Sequence, residues 1–236
     1  MFKKHVLLAY TDLQAAGSRA LLGLDPEHHK YEYRTLPVPE VPGLKPACVR
    51  GSTCAPAEQE FQPIQILNCK YEEFSVVVVN AVVGGDVCHH VVSRLLDECL
   101  RSGVEKITAV AALHFPHPGE LLYETAFFTQ PGLSPFRYLT SAPGLPDDLQ
   151  VADPILNLLV QFLLVDSLPA TFLVVPGHKA TEGAANVSDG SLANISLLQD
   201  TLTSITGLRF SRDISCSLLY KGTNNPQEAM VDLIYM

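Results

Sequence analysis

Between residues 74 and 113 the hydrophobic pattern changes period twice, and this restricts the fold more than any other feature of the chain. Residues 74–83 are a run of valines with little alternation, the pattern of a strand covered on both faces. Gly84-Gly85-Asp86 then supplies a turn and a helix cap. Over 87–101 the apolar residues Val87, Val91, Val92, Leu95, Leu96, Cys99 and Leu100 recur at helical spacing, and Gly103 is placed to end the helix. Lys106–Leu113 returns to a continuous apolar run. Strand, helix and strand in this order imply a parallel pair joined by a right-handed crossover. The expectation is an α/β fold, a three-layer αβα arrangement with a mostly parallel central sheet.

The remaining segments fit that architecture. His5–Tyr10 is a candidate first strand and 19–24 a short helix. Residues 36–63 hold Pro37, Pro39, Pro42, Pro46, Pro56 and Pro63, a density that forbids a long helix or an interior strand and predicts a surface insertion. Residues 114–146 are irregular, with helix and strand both open near 121–128. Asp153-Pro154 reads as an N-cap followed by proline at the first helical position, and the helix runs to about Asp166. Leu168-Pro169 turns the chain into a third buried strand over 170–175. A helix over 191–205 ends at Gly207, and 214–220 is open between helix and strand. One α/β domain is expected over 1–236, with the insertion at 36–63 and a mobile tail at 224–236.

Composition narrows the function classes. Hydrophobic residues make up 47% and charged residues 17%, which suits a large core and not a disordered chain. Acidic residues outnumber basic ones 25 to 16 and the net charge is -9, which argues against a general nucleic-acid binder and suits a basic protein surface. The basic Phe2-Lys3-Lys4 start leads into too short an apolar run for an export signal. Residues 155–175 are interrupted by Asn157, Gln161, Asp166, Ser167 and Pro169, so they make a poor membrane span. Cys48, Cys54, Cys69, Cys88, Cys99 and Cys216 form no C-x-x-C pair and are expected to be reduced thiols, and the sequons at Asn186 and Asn194 then carry no weight.

Residues able to do chemistry gather at the expected strand ends. Gly84-Gly85-Asp86 sits where α/β enzymes place ligands, yet it lacks G-x-G-x-x-G and the P-loop lysine. In Cys88-His89-His90, neighbours on a helix point about 100° apart and cannot converge as ligands. Cys88 lies near a helix N-terminus, where a thiolate is stabilised, but no Asp or Asn partner is identifiable. His114-Phe115-Pro116-His117-Pro118-Gly119-Glu120 offers two histidines and a carboxylate without zinc-site spacing. Pro176-Gly177-His178-Lys179 is a further site edge or a solvated loop. There is no complete catalytic set, and no catalytic residue, metal or cofactor is expected. The competing reading is a small-molecule enzyme, nucleoside phosphorylase-like or a hydrolase, using His114, His117 or His178 with the 84–86 turn. A plain scaffold or dimerisation module is the third.

The chain ends in Ile234-Tyr235-Met236 after a polar lead-in. A hydrophobic residue, a tyrosine and one residue with a terminal carboxylate make a docking tail. The apolar side chain fills a pocket, the ring buries area while its hydroxyl finds a partner, and the carboxylate pairs with a lysine. This tail resembles the hydrophobic-tyrosine-X tails that proteasome regulators and assembly chaperones insert between α subunits. The pattern from 74 to 236 resembles the proteasome assembly chaperone 1 family over about the last two-thirds of the chain. The resemblance implies a non-catalytic α/β chaperone that pairs with a second assembly chaperone. The heterodimer would sit on the outer face of the proteasome α ring, guide its assembly, and bind through Ile234, Tyr235 and Met236. It also implies a cytoplasmic protein, with the nucleus as the other compartment open to it. It implies no membrane and no nucleic-acid partner.

Overall fold

The computed structural model describes residues 1–50, 61–115, 121–127, 139, 142–146, 149, 151–177 and 191–220. Strand β1 (His5–Tyr10) leads through a 3-10 turn (Leu13–Ala15) into helix α1 (Ala16–Leu22). Strands β2 (Tyr31–Thr35), β3 (Cys48–Arg50), β4 (Ile64–Cys69) and β5 (Phe74–Val79) follow, then helix α2 (Asp86–Ser102) and strands β6 (Lys106–Leu113) and β7 (Tyr123–Phe127). The chain continues through helix α3 (Pro154–Asp166), strand β8 (Ala170–Pro176), helices α4 (Ser191–Thr206) and α5 (Arg212–Cys216), and strand β9 (Leu218–Tyr220).

Seven strands form one sheet in the order β2-β4-β5-β1-β6-β8-β7, and β3 with β9 forms a small second sheet. The three-layer α/β architecture is the one the pattern predicts. "Mostly parallel" holds only at its centre. The neighbours β5-β1-β6-β8 are parallel, whereas β2-β4, β4-β5 and β7-β8 are antiparallel. A short turn at residues 70–73 joins β4 to β5, and a connection that short allows only an antiparallel return. The predicted strand–helix–strand unit is corrected in one respect. β5 and β6 run parallel but do not touch, because β1 lies between them, with Val6 opposite both Ser75 and Ile107.

Side chains alternate across this sheet as a strand requires. Val6, Leu8, Tyr10, Val77, Val79, Ile107 and Phe172 pack under α2 and α3. Leu7, Ala9, Val76, Val78, Val110 and Leu173 pack under α1 and α4. α2 begins one residue before its predicted start and ends at Gly103, whose φ of 68° and ψ of 41° form the left-handed cap that glycine supplies without penalty. α3 begins as expected, with the Asp153 carboxylate accepting from Leu156 N at 2.8 Å and Pro154 at its first turn. The open segments resolve into strand β7 near 121–128 and into α5 followed by β9 near 214–220. Within 36–63, the described residues Leu36, Val38, Ala47, Cys48 and Phe61 are buried, and Cys48–Arg50 is a strand.

Candidate functional site

Ile234, Tyr235 and Met236 lie outside the described residues, as does all of 221–236. The root of that segment is described. β9 pairs antiparallel with β3, Cys48 facing Tyr220 and Arg50 facing Leu218, and Leu218 is buried. β3 is fastened in turn to the end of β5. The Asn80 side chain accepts from Cys48 N at 2.7 Å and donates to Cys48 O at 3.1 Å, while its backbone carbonyl accepts from Ala47 N at 2.8 Å. These three bonds also explain why the predicted strand 74–83 ends at Val79: beyond it the polar groups of Asn80 turn to β3 instead of to the main sheet.

The carboxyl ends of β5 and β1 define the crevice where an open α/β sheet binds ligands, because their following helices leave to opposite faces. α1 follows β1 on one side and α2 follows β5 on the other. Asp12, two residues past β1, is buried against α1 and β6. Its Oδ2 accepts from Ala112 N at 2.6 Å and from Gly17 N at 3.0 Å, and its Oδ1 lies 3.2 Å from Gly17 N. One carboxylate thus ties the end of β1 to α1 and to β6. Burial pushes its pKa well above the ordinary carboxylate value and the nearby Asp153 charge adds to the rise, against the pull of the Ala112 and Gly17 N–H groups. The polar side chains of Asp12 and Asn80 are therefore occupied by the fold itself.

The candidate reactive residues separate. Gly85 is the N-cap of α2 and Asp86 its first residue, both exposed. Cys88 is buried and donates its thiol to Val83 O at 3.3 Å. Burial, with the charge of Asp153, pushes its pKa up to about 11, so desolvation overrides the helix-terminus effect that favours a thiolate. His89 and His90 are exposed with rings 6.1 Å apart and edge-on, and His89 also meets the Phe162 ring at 5.3 Å. His114 is exposed, and His117 and His178 lie outside the described residues. Among the described residues no three His, Cys, Asp or Glu side chains are grouped to hold a metal ion, and no helix is long and apolar enough to cross a membrane. The sequon residue Asn194 is buried in α4 and donates to Pro176 O at 2.7 Å. Asp12 and Asn80 escape a motif search. Their one sequence signal is their place as polar residues just past an apolar strand.

No protein-family model matches the chain, and no curated protein matches its sequence. Solved structures do. A Thermoplasma acidophilum protein of unknown function superposes with a TM-score of 0.62 at 11% identity, over 99% of this chain and 84% of that one. Pyrococcus furiosus PbaA, described as an archaeal homolog of proteasome-assembly chaperone, superposes with a TM-score of 0.58 at 9% identity, over 91% and 87% of the two chains. The chain has the fold of the proteasome-assembly chaperone homologues. A PAC2 family protein from Streptomyces avermitilis gives a TM-score of 0.55 at 15% identity, over 97% and 95%. The likeness to the assembly-chaperone fold thus extends over nearly the whole chain, beyond the last two-thirds that the sequence pattern covers.

Proposed function

We propose that the chain is a non-catalytic chaperone for assembly of the proteasome core particle. It works as a heterodimer with a second assembly chaperone on the outer face of the α ring, in the cytoplasm and the nucleus, and it docks by Ile234, Tyr235 and Met236. The observation that carries this reading is the chaperone-homologue fold combined with a hydrophobic-tyrosine-X sequence at the end of the chain. The bonded state of Asp12 and Asn80 supports a structural role for the strand ends that an enzyme of this class would use for substrate.

Magnitudes favour a two-part contact. Micromolar affinity needs about 8 kcal/mol. Burying a tyrosine and an isoleucine gives about 3–5 kcal/mol before the tail is ordered. The folded body and the partner chaperone must supply the rest, and two linked tails gain from effective concentration. The test is binding of the full-length chain to purified α-subunit rings, with Tyr235→Ala and with residues appended after Met236 as variants. Both variants are expected to weaken binding at least about tenfold with the fold intact. Unchanged binding by both would remove the docking role of the tail.

A further inference from the structure

Where the turn after α1 meets the connection between α4 and α5, Leu24 and Phe210 form an antiparallel bridge. Ser211 N donates to Gly23 O at 2.7 Å and Asp25 N to Arg209 O at 3.0 Å. In a regular antiparallel pair, opposed residues exchange two bonds, and the return bond here would run from Arg209 N to Asp25 O. Instead, Asp25 O accepts from His29 N at 3.0 Å, and Arg209 N donates to Nε2 of the His29 ring at 2.8 Å. A backbone N–H can only donate, so Nε2 carries a lone pair and the proton of the neutral ring sits on Nδ1. Nδ1–H in turn donates to Glu72 Oε1 at 2.8 Å, on the turn between β4 and β5. We infer that His29 is a proton-operated switch on the α4–α5 connection: neutral, it holds Arg209 N–H, and protonated, it releases Arg209 while keeping Glu72.

A protonated imidazole has N–H groups on both nitrogens, so Nε2–H would face Arg209 N–H, donor against donor. The ring is only 8% exposed, and the clash is relieved by movement of the 207–211 connection. Glu72 supplies the reason to protonate. Its Oε1 is bonded to Nδ1, and its Oε2 is buried with no hydrogen-bond partner among the described residues. A cation on His29 gains a charge-assisted bond to that carboxylate. The other charged groups nearby have other engagements. Asp25, on the same turn as His29, holds His28 Nδ1 at 2.7 Å. Lys30 and Lys70 are exposed and meet through their backbones, and Glu73 interacts with Lys4. Cys69, beside Glu72, is pushed up to about 12 by burial and stays neutral. Arg209 lies just ahead of α5, and α5 leads into β9, from which 221–236 departs. Release therefore loosens the attachment of that segment's root to the body.

The Arg209 bond is present above the pH at which His29 titrates and is lost as pH falls through it, while the ion pair with Glu72 forms over the same range. The two oppose each other in global stability, so the readout is local. The test is nuclear magnetic resonance on the full chain without any proteasome component, which keeps it separate from the docking reading. At about pH 8 the His29 ring is expected to be the Nδ1–H tautomer. From about pH 8 to about pH 6 the exchange protection of the Arg209 amide is expected to fall at least about threefold in step with the ring's titration. Protection of the Cys48 amide, bonded to Asn80, is expected to stay constant. Glu72→Gln is expected to move both the ring and the Arg209 titrations to lower pH. His29→Gln, whose amide oxygen can accept at the position of Nε2, is expected to keep Arg209 protected throughout. An Nε2–H tautomer, Arg209 protection that ignores the ring's titration, a Glu72→Gln variant that titrates as wild type, or pH-dependent release in His29→Gln would overturn the inference.

Discussion

At the scale of single residues the molecule is governed by what it hides. Cys48, Cys69 and Cys99 are pushed up to about 12 and Cys88 to about 11 by burial, whereas Cys216 is an exposed free thiol. In a Cys54→Ser background, iodoacetamide at pH 8 is expected to add once, at Cys216, as read by intact mass. Rapid labelling of Cys88 would restore it as a nucleophile. Asp12 gives a pH signature. Its folded pKa is raised above the unfolded 3.8, so the native state holds the proton more tightly. The stability it contributes is complete below pH 3.8 and is lost as pH rises toward the folded value. Asp12→Asn removes that dependence. Its deficit against wild type in urea unfolding is therefore expected to shrink from pH 4 to pH 7, and parallel profiles would contradict the burial of a titrating carboxyl.

Elements are held where small or capping residues permit close approach. A Cβ on Gly17 would lie 2.8 Å from Asp12 Oδ2 and 2.9 Å from Val110 O, so α1 reaches the sheet only because that atom is missing. Gly17→Ala is expected to cost about 1–3 kcal/mol in urea unfolding, with a lost Asp12 contact as the cause. Asp153→Ala should cost about 1 kcal/mol by removing the α3 cap, and Asp153→Asn less, because an amide oxygen still caps. Legibility in the sequence follows the same line. β1, α2, β6, α3, β8 and α4 were readable because their periodicity is local and their ends carry Gly, Asp or Pro. β2 and β4 were not, since Tyr31–Thr35 alternates charge at a sheet edge and Ile64–Cys69 follows immediately on the proline-rich stretch. The central place of β1 is a long-range fact that no window of sequence contains. At the strand ends, Gly84-Gly85-Asp86 was legible as a turn. Asp12 and Asn80 were not, because their partners Ala112 and Cys48 are distant in the chain.

For the whole molecule, the proposed separation of a folded body from a docking tail has a thermal consequence. Removing residues 234–236 is expected to leave Tm within about 1 °C of wild type, since terminal residues without packing contribute little. A fall of several degrees in a melting experiment would make those residues part of the core. The position of β1 at the middle of the sheet bears on how the chain is made. β1 is made before the other strands of the sheet and has as neighbours Phe74–Val79 and Lys106–Leu113, so one edge stays unpaired until β5 is made and the other until β6 is made. Until β6 arrives, a Leu- and Val-bearing strand keeps at least one hydrogen-bonding edge open, the condition in which nascent chains cross-pair. This architecture ties the birth of the molecule to the late arrival of β6. A stalled product ending before Ile107 would carry its future centre as its stickiest surface.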